Sequence, residues 1–176
     1  MLGNHDYDVP GGVDRPKEWF IERTGMPAEY YHRDEGHVRF LFLNSNSEAR
    51  TESQLRWLED AIRETRRPVV VFSHHPIAGS AGRIRAFQKI LSRHGEQVVA
   101  AITGHQGRIT NTVDEKDGVL YYSMAHFFQQ VPTYAVITIG GPCGRQITIE
   151  GFGLQSSFHG MEPRETGANA KAKDRL

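Results

Sequence analysis

The chain has 176 residues, 38% of them hydrophobic, which is enough for a single globular core. Its 21 basic and 21 acidic residues give a formal net charge of zero, so no overall field would draw it to nucleic acid or to an anionic membrane. One cysteine excludes an internal disulfide framework, and the apolar runs are too short to span a bilayer. The nine histidines are therefore the main resource for metal or proton chemistry.

The first half of the chain predicts two helices and a strand. The segment "PKEWFIERTG" predicts a helix with Pro16 in its first turn and Gly25 at its end, and "HVRFLFLNSN" predicts a strand followed by polar turn residues. The strongest helix prediction is "TESQLRWLEDAIRET", because Thr51 and Gln54 match a capping box and leucines follow at helical spacing.

The second half predicts a β-α-β unit and then a set of short strands. "RRPVVVFSHHP" and "QVVAAITGHQG" predict buried strands, and "GRIRAFQKILSRHG" predicts a helix between them that ends at Gly95. From about Gly118, "GVLYYSMA", "TYAVITI" and "RQITIEGFG" predict strands of an antiparallel set at the domain edge. Residues 154–176 are polar and predict a disordered tail, which leaves residues 1–153 as one domain.

Polar clusters lie at the ends of the two buried strands. Ligands of open α/β sheets bind outside the carboxyl ends of the strands, where "FSHHP" and "ITGHQG" are expected. The opening segment "LGNHDYD" has the same character, although no strand precedes it in this sequence. If all three loops converge, Asn4, His74 and His105 offer the amide and imidazole ligands of a divalent metal. His5 is suited to general acid catalysis, and Asp6 to orienting that imidazole.

Three motifs in this order, "GNHD", "VVFSHHP" and "ITGHQG", with "SQLRWLEDAI" between the first two, resemble the second half of the calcineurin-like metallophosphoesterase superfamily. The resemblance covers roughly residues 2–152. It implies an α/β fold that is part of a four-layer α/β/β/α sandwich lacking its first strands. It also implies hydrolysis of small-molecule phosphomonoesters or phosphodiesters by water that a metal activates, with a histidine protonating the leaving group.

By the same resemblance, Asn4, His74 and His105 hold one metal, and His5 contacts the phosphate or the leaving group. Family members hold a second metal through an Asp-x-His element, a bridging aspartate in Gly-Asp-x-x-Asp, and the last histidine of "GHxH". The first two elements should lie before "GNHD", and Gly107 stands where the last histidine belongs. We therefore expect at most one divalent ion here, which could be Mn, Fe, Zn or Co.

Several alternatives stay open. The missing ligands fit either a truncated sequence or a lineage that is losing its metals, and Gln106 or His126 is of a type that could replace the missing histidine. A non-catalytic module that binds a ligand or partner is the second functional reading, and Gly107 favours it. A third is a hydrolase with one metal or none that uses His74 and His75.

Two further residues are candidates for contacts with the substrate phosphate. His75 follows the proposed ligand His74, and the guanidinium of Arg108 could bind phosphate oxygens in a bidentate manner, although both residues could equally be solvated at the surface. The sequence shows no sign of nucleic-acid specificity or of membrane association. It leaves the oligomeric state, the localisation and the choice among phosphate esters open.

Overall fold

A computed structural model of the chain describes residues 1–6, 17–46, 51–78, 84–105, 112–125, 134–141, 145–152 and 158–159. In these ranges a short 3₁₀ turn (Asn4–Asp6) precedes three helices, α1 (Lys17–Thr24), α2 (Glu52–Arg63) and α3 (Arg85–Arg93). The strands are β1 (Tyr31–Glu35), β2 (Val38–Phe42), β3 (Val69–Ser73), β4 (Val98–Thr103), β5 (Thr112–Lys116), β6 (Val119–Ser123), β7 (Tyr134–Gly140), β8 (Gln146–Phe152) and β9 (Phe158–His159).

The strands form two sheets. The larger is mixed, with the order β1-β2-β3-β4-β6-β5, and its central strands β2, β3, β4 and β6 run parallel to one another. β1 and β5 are antiparallel to their neighbours at the two edges. The smaller sheet is antiparallel, with the order β7-β8-β9. This mixed architecture confirms the predicted α/β fold and its β3-α3-β4 unit.

The two faces of the large sheet have different partners. One face packs against α2 and α3, and the buried residues of this layer include Leu41, Leu58, Ile62, Phe87 and Val71. The opposite face packs against the small sheet through a second buried cluster. Its members include Val70, Ile102, Tyr122, Ile147 and Ile149. The described residues thus form three layers, helices, large sheet and small sheet, which agrees with a partial α/β sandwich.

Helix α2 begins as the sequence predicts and is also tied to the end of β2. The N–H of Gln54 donates to the hydroxyl of its N-cap Thr51 at 3.3 Å. The buried side chain of Gln54 accepts a hydrogen bond from Asn44 N and donates one to Asn44 O, both at 2.9 Å. The residue of the predicted capping box therefore also fixes the loop that follows β2.

Other details differ from the sequence prediction. The sequence predicted neither β1 nor β5, and β6 lies parallel to β4 in the large sheet, not in the antiparallel set. Gly25 ends α1 with a φ of 69°, as expected, but Gly95 is not in the left-handed region. Gly95 is close to a backbone instead, because a Cβ there would lie 1.8 Å from Asp117 O.

The end of the chain is described only in part. Phe158 and His159 form β9 beside β8, so the small sheet extends into the segment 154–176 that was predicted to be a disordered tail. The remainder of that segment lies outside the described residues. None of the described helices combines the length and the apolar character needed to cross a bilayer.

Candidate metal centre

Three polar loops meet at the carboxyl ends of parallel neighbouring strands. They are residues 44–46 after β2, His74 and His75 after β3, and Gly104 and His105 after β4. The N–H of Gly104 donates to His74 O at 3.0 Å, which joins the last two loops. The sheet therefore places at one edge the two histidine loops that are thirty residues apart in sequence.

The N-terminal turn lies against this edge, although no strand leads into it here. Leu2 is fully buried, and the carbonyl oxygen of Gly3 accepts a hydrogen bond from Asn46 Nδ2 at 3.3 Å. The Oδ1 atom of Asn4 is 2.7 Å from His74 Nε2. Gly3 itself is in close contact with the imidazole of His74, because a Cβ at this position would lie 3.0 Å from His74 Nδ1.

A cluster of three histidines forms the centre of the site. His74 Nε2 is 2.9 Å from His105 Nδ1, and the rings of His75 and His105 have centroids 4.1 Å apart. One nitrogen of each of His74, His75 and His105 lies within 4.8 Å of the others, so this group could hold a metal ion. His105 has a φ of 61°, an uncommon conformation for a residue with a side chain.

The separations between these donor atoms suit a shared ion. Two ligands that are each about 2.1 Å from a metal lie about 3.0 Å apart at the right angle of an octahedral site and about 3.4 Å apart at the tetrahedral angle. The pairs Asn4 Oδ1 to His74 Nε2 and His74 Nε2 to His105 Nδ1 are in hydrogen-bonding contact at 2.7 and 2.9 Å, close to the shorter spacing. The predicted ligands Asn4, His74 and His105 are thus brought together by the fold.

Burial and neighbouring charge favour the neutral imidazole of His74. Burial lowers the pKa of His74 below its ordinary value of 6.5, and the nearby rings of His105 and His5 lower it further, whereas Asp6 opposes the change. Metal binding requires a deprotonated imidazole nitrogen, so a lowered pKa keeps this ligand available at a more acidic pH.

His75 is held by two serines. The hydroxyl of Ser45 accepts from the backbone N–H of His75 at 2.9 Å and also lies 3.0 Å from its Nδ1 atom. Ser73 Oγ donates to His75 O at 2.9 Å. Ser45 was not predicted as a site residue, and its only signal in the sequence is its place in the polar "NSN" that follows a strand of the same sheet.

The other predicted site residues have simpler surroundings. Asp6 Oδ2 accepts from Gly3 N at 2.6 Å and so closes the N-terminal turn, while His5 is exposed beside Asn4. Their roles in proton transfer, and the substrate contact assigned to His75, stay predictions. Arg108, Gln106, Gly107 and His126 lie outside the described residues.

The donor set determines which ions suit the site. Imidazole nitrogens and an amide oxygen are neutral, and the potential metal-binding group found in the described part of the chain contains no carboxylate. Such ligands favour borderline ions such as Zn, Co, Ni or Cu over Mg and Ca, which prefer carboxylates and water. The residues therefore fit a divalent transition metal.

Fold and site together define a mixed α/β sandwich with a histidine cluster at the carboxyl ends of its parallel strands. No protein-family profile matches the sequence, and no curated protein matches it. The fold is similar to that of GAP50, the anchor in the inner membrane complex of Plasmodium, with a TM-score of 0.56 and 14% identity over 97% of this chain. This likeness shows a shared fold, and the chain spans 66% of the length of that protein.

Two other solved structures are more distant. A hypothetical protein from Thermus thermophilus has a TM-score of 0.46 and 11% identity, and the match covers 76% of this chain and 62% of the Thermus chain. A Staphylococcus aureus structure described as that of a 5'-nucleotidase has a TM-score of 0.46 and 12% identity, and the match covers 85% of this chain and 34% of the Staphylococcus chain. At these values neither likeness supports an inference about function.

Proposed function

We propose that the chain forms the metal-binding part of a phosphoesterase that hydrolyses small phosphomonoesters or phosphodiesters. The observation that carries the proposal is the convergence of Asn4, His74 and His105 at one sheet edge, with donor atoms 2.7 and 2.9 Å apart. These are the residues that the resemblance to calcineurin-like metallophosphoesterases assigns to one metal. They are 70 and 31 residues apart in sequence, so it is the fold that brings them together, which supports the proposal.

The residues of the site have distinct proposed roles. Asn4, His74 and His105 would hold a divalent ion, which would act as a Lewis acid toward a phosphate ester and would lower the pKa of a water molecule, so that the water loses a proton and becomes a better nucleophile. His5 is exposed next to Asn4, and its proposed role is to donate a proton to the departing alkoxide. Asp6 closes the turn that presents both side chains.

Hydrolysis assays with added metals test this proposal. We expect the chain to hydrolyse bis(p-nitrophenyl) phosphate or p-nitrophenyl phosphate when Mn²⁺, Co²⁺ or Zn²⁺ is supplied, and to lose that activity on chelation. His74→Ala should lower the rate at least about 100-fold, because it removes a ligand. His37→Ala is the matched control. His37 is an exposed histidine in the turn before β2, at the opposite end of that strand from the histidine cluster. Equal rates in His74→Ala and the unchanged chain would refute the proposal.

The second candidate is a non-catalytic module that binds metal or a partner without turnover. The observation that favours it is the neutral donor set, because a cluster without a carboxylate binds a hard divalent ion weakly. The Plasmodium protein of similar fold is described as an anchor, although a likeness at 14% identity extends to the fold alone. Metal binding that depends on His74 without hydrolysis of either ester would support this candidate.

A further inference from the structure

We propose that the outer edge of β7 binds the same edge of a second copy of the chain, so that two antiparallel β7 strands join the small sheets of a dimer. In the described part of the chain, β7 pairs with β8 on one side and with no strand on the other. An unpaired strand edge offers a row of backbone N–H and C=O groups to another strand. The inference does not depend on the proposed metal site, because β7 contributes no residue to the histidine cluster.

β7 differs from the other strands at the edges of the two sheets. The edge strands of the large sheet are β1, which reads "YHRDE", and β5, which reads "TVDEK", and their charged side chains discourage pairing with another chain. At the far edge of the small sheet, β9 has two residues. β7 has seven residues, reads "YAVITIG", and contains neither a charge nor a proline. Among the edges of the described sheets, it is therefore the one suited to strand addition.

Apolar surface surrounds this edge on both faces of the small sheet. On the outer face, Tyr134 and Val136 are 52% and 45% exposed, and the ring of Tyr134 stacks on that of the exposed Phe152 at a centroid distance of 4.6 Å. On the inner face, Ile137 and Ile139 are only partly buried and line the cavity of about 440 Å³ between β7 and the strands β2 and β3. A strand added at this edge would cover apolar surface on both faces.

The large sheet also has partly exposed aromatic rings on the side toward β1. The ring of Phe42 is stacked on those of Tyr31 at 4.7 Å and Phe72 at 5.4 Å, and all three residues are partly exposed. Phe42 alternates with Val38 and Phe40 along β2 and so lies on the face that packs against the small sheet. Because β7 borders β2 and has β8 on its other side, a strand added to β7 would extend the small sheet toward these rings.

The sequence of β7 is complementary to itself when two copies run antiparallel. With Ile137 on the two-fold axis, each residue faces the residue of the second copy that lies equally far from Ile137 on its other side. Ala135 then faces Ile139, and Tyr134 faces Gly140, so a small residue lies opposite each large one. Gly140 has space for the ring of Tyr134, since a Cβ at Gly140 meets nothing within 4 Å. No charges oppose one another, and a second copy therefore fits this edge.

Sedimentation equilibrium of paired charge variants tests both the dimer and its register. Val136 and Thr138 are exposed on the outer face, and in the proposed dimer each lies opposite the other residue of the second copy. We expect the unchanged chain to form a dimer, and Val136→Lys/Thr138→Lys to weaken it at least about tenfold, because lysines would then lie opposite lysines. Val136→Lys/Thr138→Glu places a lysine opposite a glutamate and should restore the dimer.

Thr148→Lys is the matched control for these substitutions. Thr148 pairs with Thr138 within the sheet but lies on β8, between β7 and β9, and so away from the outer edge of β7. It should leave the dimer unchanged. Amide hydrogen exchange needs no substitution at all. In the unchanged chain, the amides of β7 should exchange more slowly above the dissociation constant of the dimer than below it, while those of the buried strand β6 should not respond.

The outcomes are distinct from those of the hydrolysis assays. A chain that stays monomeric at millimolar concentration would overturn the proposal. A dimer that is equally stable in Val136→Lys/Thr138→Lys would also overturn it, because the contact would then lie on another surface. Equal weakening by the Lys/Lys and Lys/Glu pairs would contradict the register about Ile137. Each of these results would leave the proposed phosphoesterase activity standing.

Discussion

Gly3 is the residue that allows the N-terminal turn to lie against His74. A Cβ at this position would be 3.0 to 3.2 Å from three atoms of the imidazole, so Gly3→Ala should displace the ring from Asn4 and His105. We expect Co²⁺ affinity to fall about tenfold, as when a ligand loses its orientation. The melting temperature should change little, because the atoms that the new Cβ meets belong to a side chain that can move aside. Calorimetric titration and thermal denaturation measure the two effects.

Gly140→Ala is the control for Gly3→Ala, because a Cβ at Gly140 meets nothing within 4 Å. It should leave both the affinity and the melting temperature unchanged. If Gly3→Ala bound Co²⁺ as tightly as Gly140→Ala does, the close contact between Gly3 and His74 would have no part in forming the site.

The lowered pKa of His74 predicts a pH dependence of stability. At a pH well above the ordinary pKa of 6.5, His74 is neutral in both the folded and the unfolded chain, so its protonation does not change the free energy of unfolding. Below that pH the unfolded chain binds a proton that the folded chain resists, and the free energy of unfolding falls until the pH reaches the folded pKa. We expect the free energy of unfolding of the protein, treated with a chelator to remove metal, to decrease as the pH falls below about 6.5.

Comparison with His74→Gln isolates the contribution of this residue, because the substitution removes this imidazole alone. Urea denaturation at several pH values should give a shallower decrease for His74→Gln than for the unchanged chain. Parallel curves for the two proteins would show that His74 binds its proton equally well in the folded and unfolded states.

At the scale of residues, the position of His74 and His105 after two buried strands is visible in the sequence, and the structure brings both of them and Asn4 together. Their role as metal ligands stays a prediction. Ser45 was not predictable in this way. Its role depends on β2 lying beside β3, which brings the loop after β2 within hydrogen-bonding distance of His75. That pairing joins segments thirty residues apart, and a local pattern does not encode it.

Helix α3 and the turn between β5 and β6 are in close backbone contact, and Gly95 makes this contact possible. Because a Cβ on Gly95 would lie 1.8 Å from Asp117 O, Gly95→Ala must move one of the two segments. We expect it to cost about 2 to 3 kcal/mol, which is typical of a forced backbone shift in a packed region. Equilibrium denaturation by urea measures this difference.

Gly25→Ala is a useful contrast to Gly95→Ala. Gly25 has a φ of 69° but open space around it, so alanine meets only the conformational penalty of about 1 kcal/mol. The clash at Gly95 should therefore be the more costly of the two changes. The opposite order would mean that the end of α3 adjusts easily and that its contact with the turn contributes little to stability.

The strands that escaped prediction share a physical reason. β1 reads "YHRDE" and β5 reads "TVDEK", and at the edges of the sheet most of their side chains are exposed, so neither shows a buried apolar face. Turn signals were nevertheless present, since Gly36 and the pair Asp117-Gly118 have positive φ angles in the hairpins that follow these strands. For β6 the strand was predictable, but its parallel partner β4 was not.

On the scale of the whole molecule, the large sheet is buried on both faces, and this explains why its central strands are nearly all apolar. β4 and β6 are buried along their full length, one side against the helices and the other against the small sheet. A cavity of about 440 Å³ lies at this second interface, between Phe40 and Phe72 of the large sheet and Ile137 and Ile139 of the small one. None of its lining residues belongs to the histidine cluster.

The small sheet has one face on the core and one toward solvent, and paired substitutions on β7 and β8 can test this arrangement. Ile149 is fully buried against the large sheet, whereas Val136, which faces the other way, is 45% exposed. Ile149→Ala should cost about 2 to 4 kcal/mol in the free energy of unfolding, because it leaves a cavity between the sheets. Val136→Ala should change that free energy by no more than about 0.5 kcal/mol. Urea denaturation measures both changes in the free energy of unfolding. If both changes were small and equal, the small sheet would not pack on the large one. The stability of the histidine site would then depend on the layer of helices and large sheet alone.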